Sequence, residues 1–137
     1  MQRIGIIGAS GYVGAELLRL GAQHPDFDVV LATGDSQAGQ PIAGLYPNLR
    51  AVYGDRVFDT YDPAAIARLD LDLAFVALPH GASQNLMAEL RTHVPKVVDL
   101  AADFRLQDAS LYPQWYGEPH QAPQLLGEFA YGLPELY

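Results

Sequence analysis

Three glycines at a spacing of three residues, Gly8, Gly11 and Gly14, follow a short apolar run near the start of the chain and precede an amphipathic segment. This order predicts a strand, a tight turn and a helix. Glycine lacks a Cβ, so it permits the turn and lets a pyrophosphate approach the backbone, where the N–H groups of the helix start would face the anion. The spacing is GxxGxxG rather than the common GxGxxG dinucleotide fingerprint. The glycines could instead serve only close packing between strand and helix.

The rest of the chain alternates between apolar strand-like runs and segments with helical periodicity. The sequence predicts strands at residues 3–7, 27–33, 71–78 and 96–100, with a further short strand at 56–58. It predicts helices at residues 12–24, 63–69 (with Asp62 as N-cap), 82–92 and 108–115. It also predicts a surface loop at 37–55, which could include one short helix. This order is typical of an α/β fold, a doubly wound parallel sheet of the Rossmann-like kind.

Composition excludes several classes of function. The net charge is −8, with 16 acidic and 8 basic residues, so the chain has no basic stripe for nucleic acid. The apolar runs are shorter than the roughly 18 residues of a membrane span, and the N-terminus does not resemble a signal peptide. We therefore expect a cytoplasmic protein with no membrane partner. Cysteine is absent, so these residues form no disulfide, thiolate metal site or cysteine nucleophile.

Three loops that follow predicted strands hold the candidate site residues. They span residues 8–14, 78–83 and 101–105, and all three should emerge at the carboxyl edge of the sheet, where ligands bind in this architecture. Simpler structural roles are open for several of these residues. His80 could be a turn or capping residue, and Arg105 could form an ion pair with Asp103 or Asp108.

The remaining polar candidates have simpler interpretations. Asp99 and Asp103 suit turn and cap positions better than general-acid roles. The other histidines, His24, His93 and His120, are expected to be solvated, and their spacing does not suit a metal site. No metal is expected.

Four stretches, GASGYVGAELLRL, ALPHGAS, VVDLAADFR and YGLPELY, together resemble the N-acetyl-γ-glutamyl-phosphate reductase family, within the wider group of aspartate-semialdehyde dehydrogenases. The resemblance implies an oxidoreductase of arginine biosynthesis that uses NADPH to reduce a small-molecule acyl phosphate to a semialdehyde, with release of phosphate. In that chemistry a cysteine attacks the acyl phosphate, and hydride then reduces the thioester.

The same resemblance assigns roles to residues at the carboxyl edge. It implies a cofactor-binding set, which comprises Gly8, Ser10, Gly11, Tyr12, Val13 and Gly14 at the pyrophosphate, Thr33 and Ser36 near the adenosine ribose, and Leu78, Pro79 and His80 on the nicotinamide side. Arg105 would bind the phosphate of the substrate, because its guanidinium can contact two phosphate oxygens at once.

Two departures from the family pattern affect these expectations. The chain lacks the nucleophilic cysteine, so no catalytic residue is assigned within it, and the chain alone should be inactive. We expect residues 1–137 to be the cofactor-binding domain, with 106–137 connecting to a catalytic and dimerisation domain of a homo-oligomeric enzyme. Asp35 stands where relatives often carry an arginine for the 2′-phosphate of NADP. NADP remains the expected cofactor, with NAD as the alternative.

Two other functions remain open at the level of sequence. One is the lysine-pathway counterpart, which reduces an aminoadipyl phosphate. The other is a non-catalytic dinucleotide-binding module, which would need no cysteine.

Overall fold

A computed structural model describes residues 1–136 and shows a single parallel sheet of four strands. The strands are β1 (Gln2–Ile7), β2 (Phe27–Thr33), β3 (Leu73–Val76) and β4 (Val97–Asp99). Their spatial order is β2-β1-β3-β4, and every pairing is parallel. The predicted α/β fold with a doubly wound parallel sheet is confirmed.

Within residues 1–136, two long α-helices and four short ones connect and cover the strands. They are α1 (Tyr12–Gln23), α2 (Ile42–Leu45), α3 (Arg50–Tyr53), α4 (Pro63–Ile66), α5 (Ala82–His93) and α6 (Tyr112–Tyr116). The side chain of Asp62 accepts a hydrogen bond from the Ala64 N–H, so the predicted cap of α4 is confirmed. Among residues 1–136, none of these helices has the length and apolar character needed to span a membrane.

The sheet is covered on both faces because alternate residues of a strand point to opposite sides. Ile4 and Ile6 of β1 pack in one cluster with Leu18 of α1. Ile7 packs in a second cluster with Met87 of α5. The chain runs outward in one direction from β1 to β2 and in the other from β3 to β4. The two crossovers diverge between β1 and β3, which is the topological switch point where ligands bind in such sheets.

The segment 37–55 differs from the predicted surface loop. It contains α2, α3 and a 3₁₀ turn at Pro47–Leu49, and Ile42 and Leu49 are buried against the α1 side of the sheet. The apolar residues are too few and too irregularly spaced to show helical periodicity. The sequence allowed one short helix here, but the second helix and the burial of the segment were not predicted. The predicted strand at 56–58 is reduced to a single bridge between Pro41 and Val57.

The segment that follows β4 packs closely against the α5 side of the sheet. Tyr112, Ala122 and Leu126 are buried, and a 3₁₀ helix spans Pro123–Glu128. Tyr137, the last residue of the predicted connecting segment, lies outside the described residues. The role of 106–137 as a connection to another domain stays a prediction.

Candidate functional site

The three predicted loops meet at the carboxyl edge of the sheet. The Ala77 N–H donates to the Ile7 carbonyl at 2.8 Å, and the Leu100 N–H donates to the Val76 carbonyl at 2.9 Å. These bonds continue the pairing of β1 with β3 and of β3 with β4 just past the strand ends. The loops after β1, β3 and β4 therefore start side by side, as the topology requires.

Gly8 and Gly14 are required by the packing of the turn itself. Gly8 has φ of +88°, a left-handed conformation, and a Cβ there would lie 2.3 Å from the Ala77 carbonyl oxygen. A Cβ at Gly14 would lie 2.3 Å from the Gly8 carbonyl oxygen. The simple packing interpretation thus accounts for these two glycines.

Gly11 has a different environment. A Cβ there would meet nothing closer than the Gly8 carbonyl oxygen at 3.7 Å, and its φ of −78° and ψ of 174° suit any residue. Gly11 is exposed and lies at the N-cap of α1 without a side-chain cap. The first helical hydrogen bond runs from the Ala15 N–H to the Gly11 carbonyl, so the N–H groups of residues 12–14 precede it. The side chain of Tyr12 is 92% exposed. This helix start can accept an anion.

Neighbouring loops hold the turn in place by hydrogen bonds. The Gly8 N–H donates to Thr33 Oγ1 at 3.1 Å, and the Ala9 N–H donates to the Thr33 carbonyl at 2.7 Å. Thr33 is only 2% exposed, so its hydroxyl serves the turn. Ser10 Oγ donates to the Gly34 carbonyl at 3.0 Å, and the Tyr46 hydroxyl donates to the Ser10 carbonyl at 2.5 Å. Sequence reasoning missed Tyr46, since it lies in the segment interpreted as a loop.

The loop after β2 presents Asp35 and Ser36 to solvent next to the turn. Both are exposed, and they begin a 3₁₀ turn at Asp35–Gln37. Asp35 has φ of +46°, a conformation that Asp and Asn tolerate better than most residues. The Ser10–Gly34 hydrogen bond joins this loop to the glycine turn.

The loop after β3 carries Leu78, Pro79 and His80. Leu78 approaches the turn, since a Cβ on Gly8 would lie 3.1 Å from Leu78 Cδ2, and Pro79 is exposed. His80 Nδ1 lies 2.8 Å from Asp103 Oδ1, and the imidazole stacks on the Tyr116 ring with centroids 4.6 Å apart. These two contacts fix the position of the ring. The His80 side chain is 40% exposed, so part of it faces solvent.

Asp103 connects the loops after β3 and β4. It is fully buried, and its carboxylate accepts hydrogen bonds from the Gly81 N–H at 2.7 Å, the Ser83 hydroxyl at 2.6 Å and the Gln84 amide at 3.1 Å. Burial alone would raise the pKa of Asp103, but these hydrogen bonds and the neighbouring His80 outweigh it and lower the pKa. Asp103 therefore caps the start of α5 from 20 residues away, which fits the predicted cap role. The local sequence does not signal its contacts with Ser83 and Gln84 of α5.

Asp99, at the end of β4, lies close to Asp103. Its Oδ2 is 2.8 Å from Ser83 Oγ, and its Oδ1 accepts from the Ala101 N–H at 3.0 Å. Burial raises the pKa of Asp99, and the charge of Asp103 adds to this, whereas the hydrogen bond from the Ala101 N–H and the charge of Arg105 act in the opposite direction.

Arg105 is exposed and forms no ion pair with Asp103 or Asp108 within the part of the chain described. Its Cζ lies 5.9 Å from the centroid of the Tyr131 ring. Together with Asp99, Phe104 and Tyr131 it lines a cavity of about 550 Å³ beside β4. The ion-pair alternative for Arg105 is thus wrong.

His120 corrects a further expectation. It is 7% exposed rather than solvated, its Nε2 lies 2.6 Å from the Asp103 carbonyl oxygen, and its Nδ1 accepts from the Ala122 N–H at 3.0 Å. The accepting Nδ1 places the proton on Nε2. His24 and His93 are exposed, as expected. Across residues 1–136, no group of three or more His, Cys, Asp or Glu side chains could hold a metal ion.

Comparison with known proteins gives consistent similarities. Residues 3–137 match the family described as the NAD-binding domain of semialdehyde dehydrogenases. Proteins named N-acetyl-gamma-glutamyl-phosphate reductase from Pseudomonas syringae and Azotobacter vinelandii are 49% and 48% identical over 136 residues, 99% of this chain. These similarities confirm the resemblance found in the motifs. The chain spans only 39% of the length of those relatives.

A solved structure supports the fold. Aspartate semialdehyde dehydrogenase from Candida albicans, determined with NADP, aligns with 88% of this chain and 40% of its own at a TM-score of 0.56 and 16% identity. At this identity the similarity concerns the fold alone. On the match over residues 3–137, the chain belongs to the family of semialdehyde dehydrogenase NAD-binding domains.

Proposed function

We propose that this chain is the NADP-binding domain of an N-acetyl-γ-glutamyl-phosphate reductase. Relatives of that name at 48–49% identity over 99% of the chain support the activity of the whole protein. The observation that carries the cofactor assignment is the start of α1, where Gly11 lies exposed beside N–H groups that precede the first helical hydrogen bond. A pyrophosphate fits there because the N–H groups and the helix dipole both favour an anion.

The residues around the glycine turn would have different roles in binding the cofactor. The main-chain N–H groups of Tyr12, Val13 and Gly14 bind the pyrophosphate, and the space beside Gly11 admits it. Gly8, Ser10 and Thr33 hold the turn rigid, and Ser36 lies at the exposed loop where the adenosine ribose is expected. Thr33 acts on the turn rather than directly on the ribose, because its hydroxyl is buried against Gly8.

The loop after β3 would position the reactive end of the cofactor. When bound, NADPH supplies a hydride for reduction of an acyl group. Leu78 and Pro79 give an apolar wall, which helps to exclude water, and His80 is held by Asp103 and by stacking on Tyr116.

Arg105 would bind the phosphate of the acyl-phosphate substrate. Arg105 lines the cavity beside β4, and its charge is not neutralised by an ion pair in residues 1–136. A guanidinium suits this role because it can donate two hydrogen bonds to phosphate oxygens at once. The thioester chemistry implied by the family needs a cysteine, and these 137 residues contain none. We therefore assign the nucleophile to a further domain of a longer, cytoplasmic and homo-oligomeric enzyme, reached through residues 106–137, and expect this chain alone to be inactive.

The preference for NADP over NAD depends on Asp35. Asp35 is exposed in the loop joined to the glycine turn, so its carboxylate would repel a 2′-phosphate bound beside that loop. We favour NADP because Ser36 is exposed beside it and can donate a hydrogen bond.

Calorimetric titration of the 137-residue chain with NADPH and NADH tests this function. We expect measurable binding of NADPH, tighter than that of NADH, and no reduction of N-acetyl-γ-glutamyl phosphate by the chain alone. Failure of both dinucleotides to bind would contradict the cofactor assignment. Acyl-phosphate reduction by this cysteine-free chain would contradict the assignment of the nucleophile elsewhere.

A further inference from the structure

One hydroxyl group lies between two carboxyl groups at the carboxyl edge of the sheet. Ser83 Oγ is 2.8 Å from Asp99 Oδ2 and 2.6 Å from Asp103 Oδ2. A serine hydroxyl carries one proton, so it can donate to only one of the two. If both carboxyl groups were ionised, the other short contact would join two oxygen lone pairs without a proton between them.

Asp103 is the better acceptor of the Ser83 proton. Its carboxylate also accepts hydrogen bonds from the N–H groups of Gly81 and Ser83 and from the Gln84 side-chain amide, and it contacts Nδ1 of His80. These donors stabilise a negative charge on Asp103. A proton on Asp99 Oδ2 then completes the chain, because it can donate to Ser83 Oγ while Ser83 donates to Asp103.

We propose that Asp99 holds a proton in this chain of hydrogen bonds, and that this proton sets the affinity of the Arg105 cavity for oxyanions. The inference rests on the proposed function, since it concerns the residue assigned to the substrate phosphate. Asp99 and Arg105 line the same cavity. A neutral Asp99 leaves the charge of Arg105 available to an anion, whereas an ionised Asp99 opposes it.

The groups that face Asp99 determine its titration. They are Ser83 from α5, with Asp103 and Arg105 from the loop after β4. His80 contacts Asp103 and therefore affects the titration of Asp99 indirectly. The remaining wall of the cavity, residues 129–134, carries Tyr131 as its one titratable side chain. The raised pKa of Asp99 and the lowered pKa of Asp103 agree with this assignment of the proton. Because the two groups are coupled, they titrate as a pair.

The direction of the pH effect follows from the charges. As pH rises through the titration of Asp99, one negative charge appears in the cavity, and the affinity for an oxyanion falls. One negative charge about 4 Å from a bound anion lowers its affinity by about tenfold. Asp99→Asn should abolish this fall, since its amide is neutral at every pH and can still donate to Ser83.

Sulfate is the probe, because its charge is constant across the range used. We would titrate the ¹⁵N-labelled chain with sulfate from below the midpoint of the Asp99 carboxyl titration up to pH 8 and follow the amide signals of Ala101 and Arg105. The wild type should lose about tenfold in affinity as pH rises. Asp99→Asn should keep the affinity seen at low pH. The matched control, Asp108→Asn, removes an exposed carboxyl group from the same segment and should behave as the wild type.

Two further measurements separate the alternatives. In His80→Gln the pH dependence of sulfate affinity should persist. If this pH dependence disappears in His80→Gln but remains in Asp99→Asn, the effect belongs to His80 and the proposal is overturned. The ¹³C signal of the Asp99 carboxyl group in the wild type should titrate above the ordinary aspartate value of about 3.9, and a midpoint at or below it would also overturn the proposal. NADPH binding to the same samples reports on the proposed function separately, since the glycine turn rather than the cavity carries it.

Discussion

Replacing Gly11 with alanine would test the position of the cofactor with little disturbance of the fold. The new methyl group has 3.7 Å to the nearest oxygen, and the backbone angles suit alanine. At an N-cap, alanine is less favourable than glycine by about 0.5–1 kcal/mol. Alanine also lowers the conformational entropy of the unfolded chain, which stabilises the folded protein by about 0.4–1 kcal/mol. The free energy of unfolding should therefore change by less than about 1 kcal/mol.

The effect of Gly11→Ala on cofactor binding should be much larger. The methyl group would occupy the space through which the pyrophosphate approaches the N–H groups of α1. Loss of one hydrogen bond to a charged group removes about 2 kcal/mol, which corresponds to roughly a 30-fold weaker affinity for NADPH. Titration calorimetry measures the affinity, and urea denaturation of the same variant measures the stability.

A control and a contrasting variant complete this test. Gly127→Ala adds a methyl group where nothing lies within 4 Å, in the 3₁₀ helix on the α5 side, and should leave NADPH affinity unchanged. Gly14→Ala should instead destabilise the fold, because its Cβ would lie 2.3 Å from the Gly8 carbonyl oxygen. A Gly11→Ala protein that binds NADPH as tightly as the wild type would refute the placement of the pyrophosphate.

Three other substitutions test the surroundings of the turn. Asp35→Asn should raise the affinity for NADPH relative to NADH by about tenfold, since it removes a negative charge near the expected 2′-phosphate. Asparagine also tolerates the positive φ at this position, so the loop should keep its conformation. An unchanged ratio of the two affinities would mean that the Asp35 carboxylate points away from the 2′-phosphate. Tyr46→Phe should lower the free energy of unfolding by about 1 kcal/mol in urea denaturation, because the Ser10 carbonyl loses its donor. Asp103→Asn should lower it by about 3 kcal/mol at pH 7. The lowered pKa of Asp103 means that its contribution is present above the ordinary value of about 3.9 and is lost as pH falls through the lowered value. The stability difference between wild type and Asp103→Asn should therefore shrink below pH 4, and a constant difference would contradict the charge assigned to Asp103.

The parts of the fold that depend on local pattern could be predicted from the sequence. The strand at Phe27–Thr33 and the start of α1 at Tyr12 agree with the predicted bounds, because apolar runs and glycines act over a few residues. The strand predicted at 71–78 is observed only at Leu73–Val76. Leu71 is buried without belonging to a strand, so an apolar run reports burial more reliably than strand pairing.

The parts of the site that depend on distant contacts could not be predicted. Asp103 contacts Ser83 across 20 positions, and Tyr46 contacts Ser10 across 36. His120 becomes buried because the chain after α6 returns to the Asp103 carbonyl. Neither composition nor periodicity carries this information. The parallel topology did predict that the three loops meet, and inspection of polar residues in them could have singled out Asp103.

The most direct test of the account is amide chemical-shift mapping of the ¹⁵N-labelled chain during titration with NADPH. If the pyrophosphate binds at the start of α1, the largest shifts will occur at Gly11, Tyr12 and Val13, with smaller shifts at Ser36 and His80. Large shifts confined to the α5 side of the sheet, around residues 123–128, with the amides of residues 11–13 unmoved, would contradict it.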